Sequence, residues 1–382
     1  MSAPIGVLHV CDKFGVAGSS IHGVSRLFSW WFPRFDPARF AVSLVGLKAR
    51  EPGSRLLEEQ GISVAHLGRG RFDPRILSDL VALVRERHIR ILHVHGYAAA
   101  DFGRLAARAT GAALVLHEHF ADPRMPVYQG LADRLLAGWT DRAIAVSGST
   151  RDFLVRERRV PADRVRVIWN GAPLAEFAPV SLDQATRTRA ELGLPPDALV
   201  IGTIGRLNEQ KGHRYLIEAA PAVLDRHENA RFLIVGDGDL SLPLRRQAQA
   251  LGLGDLFVFT GHRSDVRELL GAVDVVCMPS LYEGTPLALF EAMAAARAIV
   301  ASAVDGCAES LVDGATGLLV PPRDSAALSR ALMGVLGEPR LRARLGAAAR
   351  LASREYDIDR TVRRLQDLYD EVLTERNRAR AA

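Results

Sequence analysis

Two glutamates, Glu283 and Glu291, bracket the segment Glu283-Gly-Thr-Pro-Leu-Ala-Leu-Phe-Glu291, and their setting suits the handling of an anionic ligand. The preceding run Val273-Asp-Val-Val-Cys-Met-Pro279 is apolar and β-branched and reads as a buried strand. Leu287 to Ala296, after Pro286, holds good helix formers, which predicts a helix with Thr285 at its N-cap. A strand that ends in a glycine-containing turn and opens a helix aims free backbone N–H groups and the positive end of the helix dipole beyond the sheet, where a diphosphate fits. Glu283 stands in the loop and Glu291 about two turns into the helix, so they meet different parts of a ligand. One division is sugar and ribose hydroxyls. The competing reading leaves Glu291 as a solvated helix residue and Glu283 as a turn residue.

Four other segments carry candidate chemistry. In Gly205-Arg-Leu-Asn-Glu-Gln-Lys-Gly212, Arg206 and Lys211 flank a turn in which Gly205 and Gly212 allow close backbone approach. Two cations there neutralise a leaving diphosphate, unless they are solvated surface charges. In His117-Glu-His119 the two imidazoles share one face of a strand end. A His-x-His pair is compatible with zinc, but no further ligand cluster is evident, so no metal site is expected. Gly15 and Gly18, in Gly15-Val-Ala-Gly-Ser-Ser20, follow the first strand and open a helix expected over Ile21 to Trp31. The spacing fails the dinucleotide fingerprint, and the two glycines either line a ligand or form a tight turn. Gly236-Asp-Gly-Asp239 contains an Asp-x-Asp, but hard cations need more oxygen ligands than it offers.

Strands must position these groups. Runs at Ile5 to Cys11, Phe40 to Leu47, Ser63 to Leu67, Ile91 to His95, Ala113 to His117, Ala143 to Ser147 and Val165 to Ile168 alternate with amphipathic helical stretches, the pattern of a doubly wound parallel sheet. The alternation restarts at Leu199 to Ile204 and runs through Phe232 to Val235, Phe257 to Thr260, Val273 to Met278, Ala298 to Ser302 and Leu318 to Val320, giving a second α/β sheet. Between them Asn170 to Asp197 reads as a connector with a short helix near Leu182 to Leu192. The expected organisation is an N-terminal Rossmann-like domain over 1–175 and a C-terminal one over 176–355, with a final helical segment, 356–382. Candidate residues fall at the carboxyl ends of strands, where open α/β sheets bind ligands.

The 382 residues, 48% hydrophobic, suffice for two cores. No apolar run approaches the roughly 20 residues that span a bilayer. The start moves directly into a strand without a basic n-region or cleavage site, so a cytoplasmic protein is expected. Cys11, Cys277 and Cys307, placed at strand ends or in a loop, form no CxxC pair and suggest neither disulfides nor zinc. A net charge of +5 favours anionic partners weakly, and no basic stripe points to nucleic acid. The aromatic cluster Trp30-Trp-Phe-Pro-Arg-Phe35, followed by Arg39, is a candidate basic apolar lip for the inner face of a membrane or a lipid-linked acceptor; the alternative is ordinary core packing.

The glutamate pair after a strand and a Pro-Ser resembles the signature of retaining glycosyltransferases of family 4, the glycosyl transferases group 1, which have the GT-B architecture. Three further segments extend the likeness over nearly the whole chain: Gly205 to Gly212 is similar to the family's phosphate-binding segment, Val167-Ile-Trp-Asn-Gly171 to its interdomain hinge, and Val304-Asp-Gly-Cys-Ala-Glu309 with Val312 to Pro322 to its C-terminal pattern. The resemblance implies two Rossmann-like domains facing a central cleft, with the last helix crossing back onto the first, acceptor-side domain. It also implies transfer of a sugar from a UDP- or GDP-sugar donor to a glycan or lipid-linked acceptor, in glycan, polysaccharide or glycolipid synthesis, with no cofactor and no obligatory metal. By carry-over, Arg206 and Lys211 hold the diphosphate and Glu291 the ribose. Glu283 and the backbone of Gly284, Thr285, Pro286 and Leu287 meet the donor sugar and phosphate, His119 lies near the reacting carbon, and Gly15 and Gly18 shape the acceptor side. His117 remains the alternative to His119. Asp305-Gly306 stands where two glycines are common in the family, and Thr285-Pro286 where an aromatic-glycine pair is frequent. Two rival readings are a nucleotide-sugar 2-epimerase on the same fold and a non-catalytic homologue that binds a nucleotide sugar or glycan.

Overall fold

The computed structural model describes residues 3–15, 23–122 and 124–381. They divide into two compact units, one built from the chain up to Asn170 together with the chain from Ile358 onward, the other from Gly171–Asp357.

The first unit is a seven-stranded sheet of β1 (Ile5–Cys11), β2 (Phe40–Gly46), β3 (Val64–His66), β4 (Ile89–His95), β5 (Ala113–Glu118), β6 (Arg142–Ala145) and β7 (Val165–Val167), in the order β3-β2-β1-β4-β5-β6-β7. Its strand pairs are parallel, and the order reverses between β1 and β4, the switch point of a doubly wound sheet. Alternate residues feed opposite faces. Leu8, Val10, Leu92, Val94, Leu114 and Leu116 join the core that includes Ile76, Leu80 and Ala106 from the helices Arg75–Glu86 and Tyr97–Thr110. The residues between them present His9, His93, His95 and His117 to the other face, where Phe28, Trp31 and Tyr369 pack.

The second unit is a six-stranded sheet of β8 (Leu199–Ile204), β9 (Ala230–Val235), β10 (Phe257–Gly261), β11 (Val275–Met278), β12 (Ala298–Ser302) and β13 (Leu318–Val320), in the order β10-β9-β8-β11-β12-β13, again parallel. Every strand expected from the sequence is present, with ends moved by a few residues at most. Both sheets are wound by helices, as an α/β chain of continuous apolar strands requires.

Two local readings are resolved: the aromatic cluster falls to its core-packing alternative, and the placement of two cysteines is corrected. Trp30, Trp31 and Phe35 are buried, so the aromatic cluster packs into the first unit and is not an exposed lip. Its cations are engaged too: Arg34 pairs with Asp359 at 3.1 Å and Arg39 with Asp370, both on the helix Ile358–Ala381. Cys277 lies inside β11 and Cys307 in the short helix Asp305–Ser310, not at a strand end or in a loop, and all three cysteines are buried. Among the described residues no helix is long and apolar enough to cross a membrane.

Candidate functional site

In the second unit the loop after β8 and the loop after β11 are zipped together. Leu281 N–H donates to the Gln210 carbonyl at 2.8 Å, and the Gln210 side chain donates to the Tyr282 carbonyl at 3.1 Å. Glycine makes this approach possible: Gly212 has φ 61, and a Cβ there would stand 2.0 Å from the Pro279 carbonyl oxygen. The zipping brings Lys211 to Glu283. Lys211 Nζ donates to Glu283 Oε1 at 2.5 Å, and Ser280 Oγ donates to the same oxygen at 2.7 Å. Glu283 is 4% exposed, so its charge is balanced by the ammonium rather than by water. The Arg206 guanidinium is steadied from the same turn: with its amide oxygen facing that group, Asn208 accepts from Nε at 3.1 Å and from Nη2 at 2.8 Å.

Glu283 is also held from β12's side. Its backbone N–H donates to Asp305 Oδ2 at 2.9 Å. Asp305 adopts φ 35, a left-handed conformation that favours glycine, so its side chain is kept at a backbone position that disfavours it. Burial, and secondarily the nearby Glu283, raises its carboxyl above the usual range, opposed by the Glu283 N–H. The neighbouring Gly306 is required by packing: a Cβ there would lie 1.9 Å from the Gly284 carbonyl oxygen.

The helix expected after the glutamate loop runs Leu287–Ala294, with Pro286 and not Thr285 at the N-cap and no side-chain cap bond. Proline suits this edge because it has no N–H to satisfy. Glu291 lies inside the helix at 0% exposure, which removes the reading of a solvated surface residue. The structure thus gathers Arg206, Lys211 and Glu283 in one loop cluster and encloses Glu291 one helix turn past Leu287.

In the first unit His117 ends up within β5 and His119 just past it. They do not stand as a lone pair, as the sequence suggested. His95 Nδ1 lies 3.0 Å from His119 Nε2, His9 Nδ1 3.1 Å from His95 Nε2, and His93 Nε2 3.1 Å from His117 Nδ1. Tyr369 Oη joins the rows, 2.6 Å from His93 Nδ1 and 3.3 Å from His9 Nε2. Burial pushes His9 down to about 3, and holds His93, His95 and His117 well below the ordinary histidine range. Two overlapping triads, His9/His93/His95 and His95/His117/His119, offer nitrogens within 4.8 Å of one another, the donor chemistry of a zinc-type ion.

Two other loop residues are taken by the protein itself. Gly15 N–H donates to Glu51 Oε2 at 3.3 Å, beside Phe14 N–H at 2.6 Å, so a carboxylate already occupies the expected anion-facing turn. The helix of that region is described from Gly23, as Gly23–Trp31; Gly18 lies outside the described residues. Asp12 caps the helix Tyr97–Thr110 through Ala98 and Ala99 N–H at 3.2 and 2.6 Å.

The family model for glycosyl transferases group 1 matches residues 184–352, and that for glycosyltransferase family 4 matches 33–176. An alpha-D-kanosaminyltransferase of Streptomyces kanamyceticus is 30% identical over 319 residues, covering 78% of this chain and 81% of that one. The chain belongs to glycosyltransferase family 4. A UDP-Gal:alpha-D-GlcNAc-diphosphoundecaprenol alpha-1,3-galactosyltransferase of Escherichia coli is 28% identical, over 79% of this chain and 80% of the relative. The fold is GT-B, as in the crystal structure of Anabaena HepE in complex with UDP, with TM-score 0.84 at 21% identity, covering 96% of this chain and all of that one.

For this glycosyltransferase, sequence reasoning missed Ser280 and Asp305, which hold Glu283, and His9, His93, His95 and Tyr369, which surround the candidate histidines. The second group left a signal. His93-Val-His95 and His117-Glu-His119 repeat one spacing on adjacent strands, and parallel register sets His9 beside His93 and His95 beside His117.

Proposed function

We propose that this glycosyltransferase moves a sugar from a nucleotide diphosphate sugar to the hydroxyl of a glycan or lipid-linked acceptor, with retention of the anomeric configuration. The observation that carries the reading is the pair of zipped loops past the ends of β8 and β11, where Lys211 meets the fixed Glu283 and Arg206 is held by Asn208 in the same turn as Lys211. Two cations on backbone-zipped loops are preorganised for the charge that grows on a departing diphosphate. Glu283, anchored at both its carboxylate and its N–H, is suited to accept from sugar hydroxyls, with the turn Gly284-Thr285-Pro286-Leu287 beside the phosphate. Glu291 is assigned to the ribose, which requires that its enclosed carboxylate be uncovered as the nucleotide enters. His119 is assigned to the sugar near the reacting carbon, and Gly15 with Gly18 to the acceptor side. In the step, the bond between the anomeric carbon and the diphosphate oxygen breaks and the acceptor oxygen bonds to that carbon from the same face. The acceptor's proton passes to the leaving phosphate oxygen, so no protein nucleophile takes part. The donor is read as a UDP- or GDP-sugar; the Escherichia coli relative named for UDP-Gal and the UDP held by HepE support UDP.

Titration calorimetry and saturation-transfer NMR with UDP, GDP, ADP and their common sugars test this. One nucleotide is expected to bind selectively, with binding lost in Arg206→Ala and Glu291→Ala. A folded protein that binds none of them overturns the proposal.

A further inference from the structure

The helix Val127–Leu136 of the first unit sits with its polar side in and its apolar side out. Its inner face carries Gln129 and Asp133, one helical turn apart and both fully buried. Gln129 Nε2 donates to Asp101 at 3.1 Å and to Asp133 at 3.2 Å, and Asp133 pairs with the buried guanidinium groups of Arg104 and Arg158. The outer face repeats at the same interval with Val127, Leu131 and Leu135, which are 92%, 63% and 71% exposed. The ionic cluster fixes this orientation: rolling the stripe inward would take Asp133 from the two buried cations it pairs with.

Aromatic side chains widen the stripe. Tyr128 lies beside it on the helix, Phe72 from the loop after β3 meets the Tyr128 ring edge-on at 5.3 Å, and Trp139 follows Leu135 by one further turn. All three are exposed, Phe72 at 70%. Singly scattered apolar residues on a surface need no account, but a contiguous patch with a polar rim marks a place where something binds.

The charge around the patch says what that is. In the two segments that build it, 69–79 and 120–141, Asp73 pairs with Arg75, Asp79 with Arg69, Asp133 with Arg104 and Arg158, and Asp141 with Arg376. The exposed Arg71, Arg124 and Arg134 are then set against Asp122 alone. Arg71 also donates to Tyr128 Oη at 3.0 Å, so one cation is tied to the aromatic edge of the stripe. A second copy of the chain seated on this face would bring these cations against their own kind. An anionic lipid surface meets them with the opposite sign, and Trp and Tyr, each an apolar body with a polar tip, are the side chains that settle at a membrane boundary.

We propose that the helix Val127–Leu136, with Phe72 and Trp139, docks the protein on a membrane containing anionic lipid. The apolar stripe sinks into the boundary between headgroups and acyl chains, and the arginines lie among the headgroups. The surface follows the carboxyl ends of β3 and β5, the sheet edge that carries His119. Docking stands on this surface alone; its use in presenting a lipid-linked acceptor rests on the proposed transfer.

The test is flotation and titration of the full chain with vesicles of equimolar phosphatidylcholine and phosphatidylglycerol, beside vesicles of phosphatidylcholine alone. Wild type is expected to float with the anionic vesicles and to bind them more weakly as salt rises. Leu131→Gln combined with Leu135→Gln keeps good helix formers at exposed positions and is expected to weaken binding on the order of 50-fold, with circular dichroism unchanged. Arg134→Gln should weaken it about 5-fold on the anionic vesicles, the worth of one cation near such a surface. Wild type that stays in solution with both vesicles, or binding that the leucine pair leaves untouched, overturns the proposal. So does a dimer in analytical ultracentrifugation that the leucine pair abolishes while vesicles go unbound, since a second copy is then the occupant. Nucleotide titration of the leucine variant separates the two readings: it should match wild type, and a protein that floats with vesicles but binds no nucleotide would sink the proposed transfer and leave the docking surface standing.

Discussion

Acid should dismantle the first unit before the carboxylates of an ordinary protein titrate. His9, His93, His95 and His117 are neutral when buried, with His9 down at about 3, against an unfolded value near 6.5. A depressed folded value means the unfolded chain binds more protons below pH 6.5, so stability is full above that pH and is lost as pH falls toward 3. Each such group contributes about 2 kcal/mol of loss between pH 7 and 5, at about 1.4 kcal/mol per unit once well below 6.5. Four together reach about 8 kcal/mol, comparable to the whole stability of a domain. Asp12, Asp101 and Glu118, raised by burial, act in the opposite sense and reduce the total. All four tryptophans, Trp30, Trp31, Trp139 and Trp169, belong to the first unit, so their fluorescence reports it separately. The assay is urea unfolding followed by tryptophan emission from pH 7.5 to 5. The slope against pH should correspond to an uptake of two to four protons, falling by about one in His9→Asn. An uptake of one proton or fewer would refute the reading of four buried neutral imidazoles.

Gly306→Ala drives a methyl group against the Gly284 carbonyl oxygen, 1.9 Å away, and should lower kcat/KM by on the order of 100-fold through displacement of the donor turn, with little change in circular dichroism. Lys211→Ala removes a cation from the diphosphate site and should cost about 3 kcal/mol of barrier in steady-state kinetics, more in kcat than in donor affinity. Arg158, fully buried, pairs with both Asp133 and Glu118; Arg158→Ala leaves Asp133 with Arg104 but strips Glu118 of its ion pair, and should lower unfolding free energy by about 3–5 kcal/mol in denaturant titration. Burial pushes the Cys11 thiol up to about 12, so iodoacetamide at pH 8 should label it only in unfolded protein, as read by mass spectrometry of peptides.

Strand positions were legible because parallel strands buried on both faces read as short β-branched runs between amphipathic stretches. The Glu283 to Glu291 segment was legible for the same reason, as a strand, a turn and a helix start. What escaped was decided by contacts between distant segments. Whether Glu291 meets water depends on what covers the helix Leu287–Ala294, and the hold on Glu283 comes from Asp305, 22 positions later. For the aromatic run Trp30 to Phe35 a lip and a core cluster both stayed open because its neighbours were invisible; Phe35 stacks on Tyr369 at 6.1 Å. The histidine pairs showed their periodicity, but the residue that joins them lies 276 positions beyond His93.

That distance sets an order of events during synthesis. The sheet carrying His9, His93 and His117 leaves the ribosome first, and Tyr369 follows only after Gly171–Asp357 has been made, a wait of roughly 10 to 40 s at ordinary elongation rates. Until then the imidazoles lack the phenol that links their two rows and the helix that buries it. The nascent first unit is therefore an open half-core with polar rings showing, a natural client for chaperones, and its final closure is timed by the translation of the other unit rather than by its own folding rate.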